Sequence, residues 1–466
     1  MITIGLALSG GGHRATVWAL GVLLYLVDAG MNRNVGTISS VSGGSIANGV
    51  LAHSVDFAET NPEHFRTAIR PALTHVARDG LFFWGRQTNA YLVATLGSLA
   101  AGAVLVVGWP VAAAVTGATR LPVAVHVAGA AGVCLLLLGS WLFSRRSVVV
   151  ERALARVHFG GSPGPRLADV RRRTEHVFCA TELQSGYHVY LAPAFVHSYA
   201  FGTGTPADLT LAAAVQCSAC LPFAFAPRRL PAGRHHFAGP PGGPAPPRHL
   251  VLSDGGVYDN MADQWLVGLP DRVRRNAGLP IRTTRLDHQV VVNAGGTNRL
   301  RGMHAATLPF IGDLLTLRRV NDILYAGTTS HRRQQLVRAG DSAAHTGHGS
   351  LTALLQTTQT PYVVAEALAG GTDERAGRAR EAVAHLARYD PYGAPEWARR
   401  AAANAAVPTV LRRLGAGTTV DLLEHAYLTA MYGTHVLLGY PLLTPPARES
   451  FEALVGPAPG ERGPRR

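Results

Sequence analysis

The chain has 466 residues, 47% of them apolar and 15% charged, enough for two or three average domains. Its formal charge of +14 comes from arginine alone, since lysine is absent, and no compact basic run interleaved with aromatics accompanies it. That excludes the usual nucleic-acid footprint and leaves an anionic lipid surface as the better match. Four cysteines make no disulfide framework, and no Cys or His cluster has metal-ligand spacing, so neither a metal nor another cofactor is expected.

Residues 2–8 are an apolar run that reads as a buried strand. No charged leader precedes it, so a secretory signal is not expected and the bulk of the chain is expected in the cytoplasm. Ser9-Gly10-Gly11-Gly12-His13-Arg14 follows, and residues 15–29 place Val17, Leu20, Leu23, Leu24 and Val27 on a helical period. Strand, glycine turn and helix leave backbone N–H groups aimed at one point, where they can hold a negative oxygen. A phosphate loop is the alternative, but the Gly-Lys-Ser/Thr it needs is missing. Residues 36–41 read as a second strand and 43–53 as the next helix, with Ser42 on the sharp turn between them. The positions two before and two after such a serine must be small, and here they are Ser40 and Gly44.

No charged residue lies between Arg86 and Arg120, and none between Arg120 and Arg145. The apolar runs 91–115 and 121–143 are each long enough to cross a ~30 Å hydrocarbon core at ~1.5 Å per residue. Trp84, Trp109 and Trp141 fall near their ends. Arg86 flanks one outer end, Arg145, Arg146 and Arg152 the other, and Arg120 alone lies in the connection. The positive-inside rule then places both outer ends in the cytoplasm. A buried or monotopic hairpin lining an acyl site is the alternative for residues 87–147.

Beyond it, 148–178 is basic and reads as a juxtamembrane helix leading into a strand with Cys179 and Ala180-Thr181-Glu182. Residues 212–223 form an Ala-rich helix running into Pro222-Phe223; it holds Cys217 and Cys220, read as buried thiols. Residues 228–249 are rich in Pro, Gly and His and read as a mobile loop, either a lid or a plain insertion. The strand 249–253 delivers Asp254, followed by Gly255-Gly256 and Asn260. A core strand at 289–293, helices at 313–335, 361–408 (broken at 389–393) and 419–438, and a flexible tail at 446–466 complete the pattern.

These blocks, in this order, resemble the patatin-like phospholipase family: Gly10-Gly11-Gly12 with Arg14, Ser42 with Gly44, the Ala-rich helix with Pro222-Phe223, and Asp254-Gly255-Gly256 with Asn260. Ser40 departs from the family's glycine. The resemblance implies a three-layer α/β/α patatin-like fold with a mostly parallel central sheet, built by residues 1–86 and 148–445, and the apolar runs at 87–147 are then a two-helix membrane hairpin inserted in it. It implies a Ser-Asp dyad in which Ser42 attacks an acyl carbonyl and Asp254 is the base. The amides of Gly10, Gly11 and Gly12 would bind the oxyanion. Arg14, Gly43, Gly44, Gly255 and Gly256 would support these parts. The implied substrates are phospholipids or acylglycerols, cleaved without calcium; the hairpin and its arginine flanks add the expectation of a place at the inner membrane of the cell with the catalytic part facing the cytoplasm. An aspartate of ordinary pKa is a poor base for serine, so the site must shift it. A triad using His288 or His304 is the alternative base. Two other functions stay open: a lipid-binding or regulatory protein of the same fold, and an acyl hydrolase or transacylase for non-lipid esters.

Overall fold

The computed structural model describes residues 2–81, 86–116, 123–222, 224–239, 243–276, 278–295 and 311–456. Trp84, Arg120, Phe223, His304, residues 240–242 of the expected loop and the tail from 457 lie outside these ranges.

Among the described residues ten strands form one sheet. They are β1 (Ile4–Leu8), β2 (Val35–Ser40), β3 (Glu175–Glu182), β4 (His188–Ala192), β5 (Phe195–Ser198), β6 (Gly202–Gly204), β7 (Arg228–Pro231), β8 (His249–Asp254), β9 (His288–Asn293) and β10 (Leu351–Gln356). Their order is β10-β9-β1-β2-β3-β4-β5-β6, with β8 also on β3 and β7 on β8. The five strands from β10 to β3 are parallel, and the remaining pairings are antiparallel. The first seven helices are α1 (Gly12–Asp28), α2 (Gly43–Ser54), α3 (Pro62–Arg78), α4 (Arg86–Thr116), α5 (Val123–Ser144), α6 (Arg146–His158) and α7 (Leu211–Ser218).

Strand alternation divides the apolar side chains between two faces. Ile4, Leu6 and Leu8 of β1 and Ile38 of β2 pack against α1, α3 and the helix Ala416–Leu438. Phe178 and Ala180 of β3 continue that face beneath α2, α6 and α7. Ala7, Val177, Cys179 and Val291 point the other way, toward Trp265, Leu266 and Leu336. Leu336 belongs to the helix Ile311–Thr346, which covers the second face. The sheet is therefore a middle layer with helices on both sides, buried on both faces as parallel strands require.

One register decides the site. β2 ends with Ser40 opposite Phe178 of β3. β3 runs on, and β8 enters antiparallel with Asp254 opposite Ala180. Ser42 lies two residues beyond Ser40, and Ala180 two beyond Phe178. The head of β2 and the end of β8 thus meet at one point along β3.

Helices α4 and α5 form an antiparallel hairpin, and within them Thr88–Ala112 and Val123–Ser144 are long and apolar enough to cross a membrane. Their contact is close because it runs through glycines. A Cβ on Gly132 would lie 3.0 Å from the Val106 nitrogen, and one on Gly102 would lie 2.9 Å from the Gly132 carbonyl oxygen. The Tyr91 hydroxyl donates to the Leu142 carbonyl at 2.6 Å. Outward-facing Val93, Val104, Leu137 and Trp141 are each more than half exposed.

Two expectations need correction. Residues 228–249 are not simply a loop: Arg228–Pro231 is strand β7, paired with β8 from Arg228↔Leu252 to Pro231↔His249. Its proline is tolerated because an outer strand leaves some N–H positions unpaired. The tail does not begin at 446 either, because Arg448–Val455 is a helix. Phe451, Leu454 and Val455 are buried in the main core, with the Phe451 ring centroid 5.6 Å from that of Tyr427.

Candidate active site

Ser42 holds φ 53° and ψ −119°, a sparsely populated positive-φ conformation that costs a non-glycine residue about 1–3 kcal/mol. Three backbone bonds hold the turn in place. Val41 N–H donates to Leu8 O (3.0 Å), Ser42 N–H to Ser218 O (3.1 Å) and Gly44 N–H to Ser9 O (3.1 Å). The two glycines after the serine are steric necessities. A Cβ on Gly43 would overlap the Gly12 backbone, and one on Gly44 would overlap the carbonyls of Leu8 and Ser9. The serine turn and the glycine turn therefore interlock backbone against backbone.

The glycine turn bends through φ 145° at Gly11 and φ 60° at Gly12, where α1 begins. A Cβ built on Gly10 would sit 3.3 Å from the Ser42 Cβ, so this loop lies against the serine. Gly10 N–H is already committed to Asn260 O at 2.9 Å. Among the described residues, no acceptor meets the N–H groups of Gly11, Gly12 or Gly43. Arg14 is buried and reaches out of the loop, not into the site. Its Nε donates to Ala294 O at 2.9 Å, and Nη1 donates to Val407 O and more weakly to Ala405 O. Burial draws its pKa down to about 10, which leaves it charged at neutral pH.

Asp254 is 1% exposed. Its N–H donates to Cys220 O (2.9 Å), and its Oδ1 accepts the Gly256 N–H (2.8 Å). Its Oδ2 is buried and closes no hydrogen bond. Burial raises the carboxyl pKa from 3.8 to about 7, and the Gly256 N–H and the nearby Ser42 side chain offset part of the rise. Gly255 is required because a Cβ there would overlap the Cys179 carbonyl.

The carbonyl of Ser218, at the end of α7, joins the two halves. It accepts both Ser42 N–H (3.1 Å) and Gly255 N–H (3.2 Å). Behind it lies a buried polar chain. Ser218 Oγ donates to Cys179 O (2.7 Å) and contacts Ser45 Oγ (2.7 Å). Ser40 Oγ accepts from Ser45 Oγ (2.9 Å) and Asn48 Nδ2 (2.9 Å) and donates to Val177 O (3.2 Å). His176 Nδ1 meets Asn48 Oδ1 at 2.7 Å. Ser40 is thus a satisfied member of this network.

Sequence reasoning gave Ser218, Ser45, Asn48 and His188 no role. Ser45 and Asn48 were detectable as polar residues among the otherwise apolar, buried residues 43–52 of α2. His188 carried no local signal. Its Nε2 donates to Gly255 O at 3.1 Å, and burial lowers its pKa to about 4, so it is neutral. His288 is not brought to the site. It pairs with Ile4 at the start of β1, while Ser42 lies beyond the far end of the sheet, and its Nδ1 meets Tyr440 OH at 3.0 Å.

On the far side of Asp254, Arg332 of the helix Ile311–Thr346 pairs with Asp263 (2.9 Å) and Asp259 (3.4 Å). Tyr325 of the same helix stands where a side chain on Gly256 would go.

No family model matches the chain, and no curated protein does. Among solved structures it is similar to human GIVD cytosolic phospholipase A2, at 14% identity and a TM-score of 0.37, over 62% of this chain and 42% of that one. It is also similar to VipD from Legionella pneumophila, at 12% identity and a TM-score of 0.28, over 91% of this chain and 67% of that one. The chain thus spans about two fifths of the length of the human protein it matches. Likeness this remote leaves the chemistry to be read from the site's own residues.

Proposed function

We propose that the chain is a membrane-anchored, patatin-like serine acyl hydrolase that cleaves lipid esters through Ser42 and Asp254. The observation that carries the reading is the convergence of a strained serine, a buried carboxylate oxygen without a partner, and unpaired N–H groups of Gly11 and Gly12. An aspartate whose pKa is about 7 is a far better base toward a hydroxyl than an ordinary one.

In this reading Ser42 Oγ attacks the acyl carbonyl carbon as its proton passes to Asp254 Oδ2. The carbonyl π pair moves to oxygen, and the oxyanion is held by the N–H groups of Gly11 and Gly12, each donor contributing about 3 kcal/mol. The tetrahedral intermediate collapses, the C–O bond to the alcohol breaks, and Asp254 returns the proton to the leaving alkoxide. Water then attacks the acyl-enzyme with Asp254 again accepting the proton, and collapse restores Ser42 and releases the carboxylic acid. Gly10 spaces the loop, and Arg14, Gly43, Gly44, Gly255 and Gly256 keep the turns in contact.

Lipid is the favoured substrate because of the hairpin, whose outward faces are apolar along their length. Arg145 lies 5.1 Å from the Trp141 ring and Arg146 4.0 Å from the Phe143 ring, an interfacial pairing of cation and aromatic at the foot of α5. With Arg86 at the other outer end, this favours insertion in the cell's inner membrane with the catalytic layers on the cytoplasmic side.

The test is fatty-acid release, without added calcium, from vesicles of phosphatidylethanolamine and phosphatidylglycerol with and without triacylglycerol. Release by the wild type that is lost in both Ser42→Ala and Asp254→Asn is the expected result. Release that survives Ser42→Ala would refute the mechanism. Serine labelling by a fluorophosphonate without release from any vesicle would move the substrate to a non-lipid ester.

A further inference from the structure

The first two turns of α6 hold the segment that leads to Asp254. Arg146 Nε donates to Ala224 O (3.0 Å), Ser147 Oγ to Ala226 O (2.5 Å), and Glu151 pairs with Arg228 (2.5 Å). Ser147 is 2% exposed and lies 3.9 Å from Cys220 Sγ, which donates to the same Ala226 carbonyl at 3.0 Å. The Cys220 carbonyl accepts the Asp254 N–H (2.9 Å) and the Ser253 hydroxyl (3.2 Å). Two residues before Cys220 is the Ser218 carbonyl that receives Ser42 and Gly255.

The other end of this connection is the hairpin. α5 ends at Ser144 and α6 begins at Arg146, so Arg145 alone separates them. Arg146 also donates back to Phe143 O at 2.8 Å. A side chain at the hairpin's foot is therefore three hydrogen bonds from the Asp254 backbone: Ser147 to the Ala226 carbonyl, Cys220 Sγ to that same carbonyl, and the Asp254 N–H to the Cys220 carbonyl. Close packing transmits small displacements through such a path, and a misplacement of ~1 Å at reacting groups can cost about 100-fold in rate.

We propose that Arg146, Ser147 and Glu151 are positioning residues that couple the seating of the hairpin in a bilayer to the geometry of Ser42 and Asp254. The hydrolase is fully assembled when its hairpin is held by lipid and loosens when it is not. The catalytic part of this inference rests on the acyl-hydrolase reading above; the mechanical part does not.

The full chain, Ser147→Ala and Arg146→Gln are compared in detergent micelles and in nanodiscs of phosphatidylethanolamine and phosphatidylglycerol. The probe is the soluble ester p-nitrophenyl butyrate, so that access to lipid is not the variable. The wild type should gain about tenfold in kcat on entering nanodiscs with KM unchanged. Both variants should insert and lose that gain. Hydrogen exchange at the amides of Asp254 and Gly255 supplies a readout independent of turnover: slower in nanodiscs than in detergent for the wild type, alike in both media for the variants. Variants that keep the wild-type gain, or wild-type exchange that ignores the bilayer, overturn the coupling. Bilayer-dependent exchange with no Ser42-dependent turnover would instead refute the hydrolase reading and leave the coupling standing.

Discussion

Asp254→Asn should abolish the proposed chemistry and gain stability relative to the wild type as pH rises. The Asp254 carboxyl is 1% exposed, and burial raises its pKa from 3.8 to about 7. The folded protein therefore binds this proton more tightly than the unfolded chain does. Stability from the protonated carboxyl is fully present below the unfolded value and is lost as pH rises through about 7. At ~1.36 kcal/mol per unit the loss reaches about 4 kcal/mol by pH 8 and about 1–2 kcal/mol by pH 5. Asparagine has no charge to desolvate. Its Oδ1 can keep the Gly256 N–H, and whatever its amide lacks at the Oδ2 position is a constant offset. The stability of the variant relative to the wild type should thus grow by about 2–3 kcal/mol between pH 5 and pH 8. Paired urea-unfolding curves in one detergent at the two pH values measure it. A difference that does not change with pH, or a wild type that gains on the variant at pH 8, would refute the buried carboxylate with a raised pKa.

The same carboxyl sets the pH–rate profile: kcat/KM for p-nitrophenyl butyrate should rise with pH through about 7, and a profile already flat at pH 5 would remove Asp254 as the base. Ser40→Gly, which installs the residue of the family motif, should destabilise the protein by about 1–3 kcal/mol in chemical unfolding, because Ser45 and Asn48 lose their acceptor. An unchanged or higher midpoint would contradict the network. Gly43→Ala should lower kcat/KM about 100-fold or more, since its Cβ overlaps the Gly12 backbone and pushes the two turns apart. Wild-type labelling by a fluorophosphonate in that variant would show that the turns need not touch.

The two turns were legible because local sterics govern them. A strand, a glycine or small residue, and a helix can be read from a few neighbours, as at Gly10–Gly12 and at Ser42–Gly44. The two apolar helices were legible for a similar reason, since length and composition alone mark an uncharged apolar run of this kind. Arg448–Val455 was missed because its three buried side chains find their partners in distant helices. Strand β7 was missed because its composition is that of a loop, and its pairing with β8 fixes it instead. The triad alternative with His288 failed on strand direction: adjacency in sequence to a core strand says nothing about which end of the sheet a side chain occupies.

Residue types at turns were thus decided locally, along the chain. Their meeting was not. That Asp254 stands at the head of β2 depends on β8 pairing antiparallel with β3, a register set between segments far apart in the chain. That one Ser218 carbonyl serves both turns depends on where α7 ends. That Asp254 holds its proton near neutral pH depends on burial by every layer around it, and desolvation is a property of the packed whole that no short stretch of sequence contains.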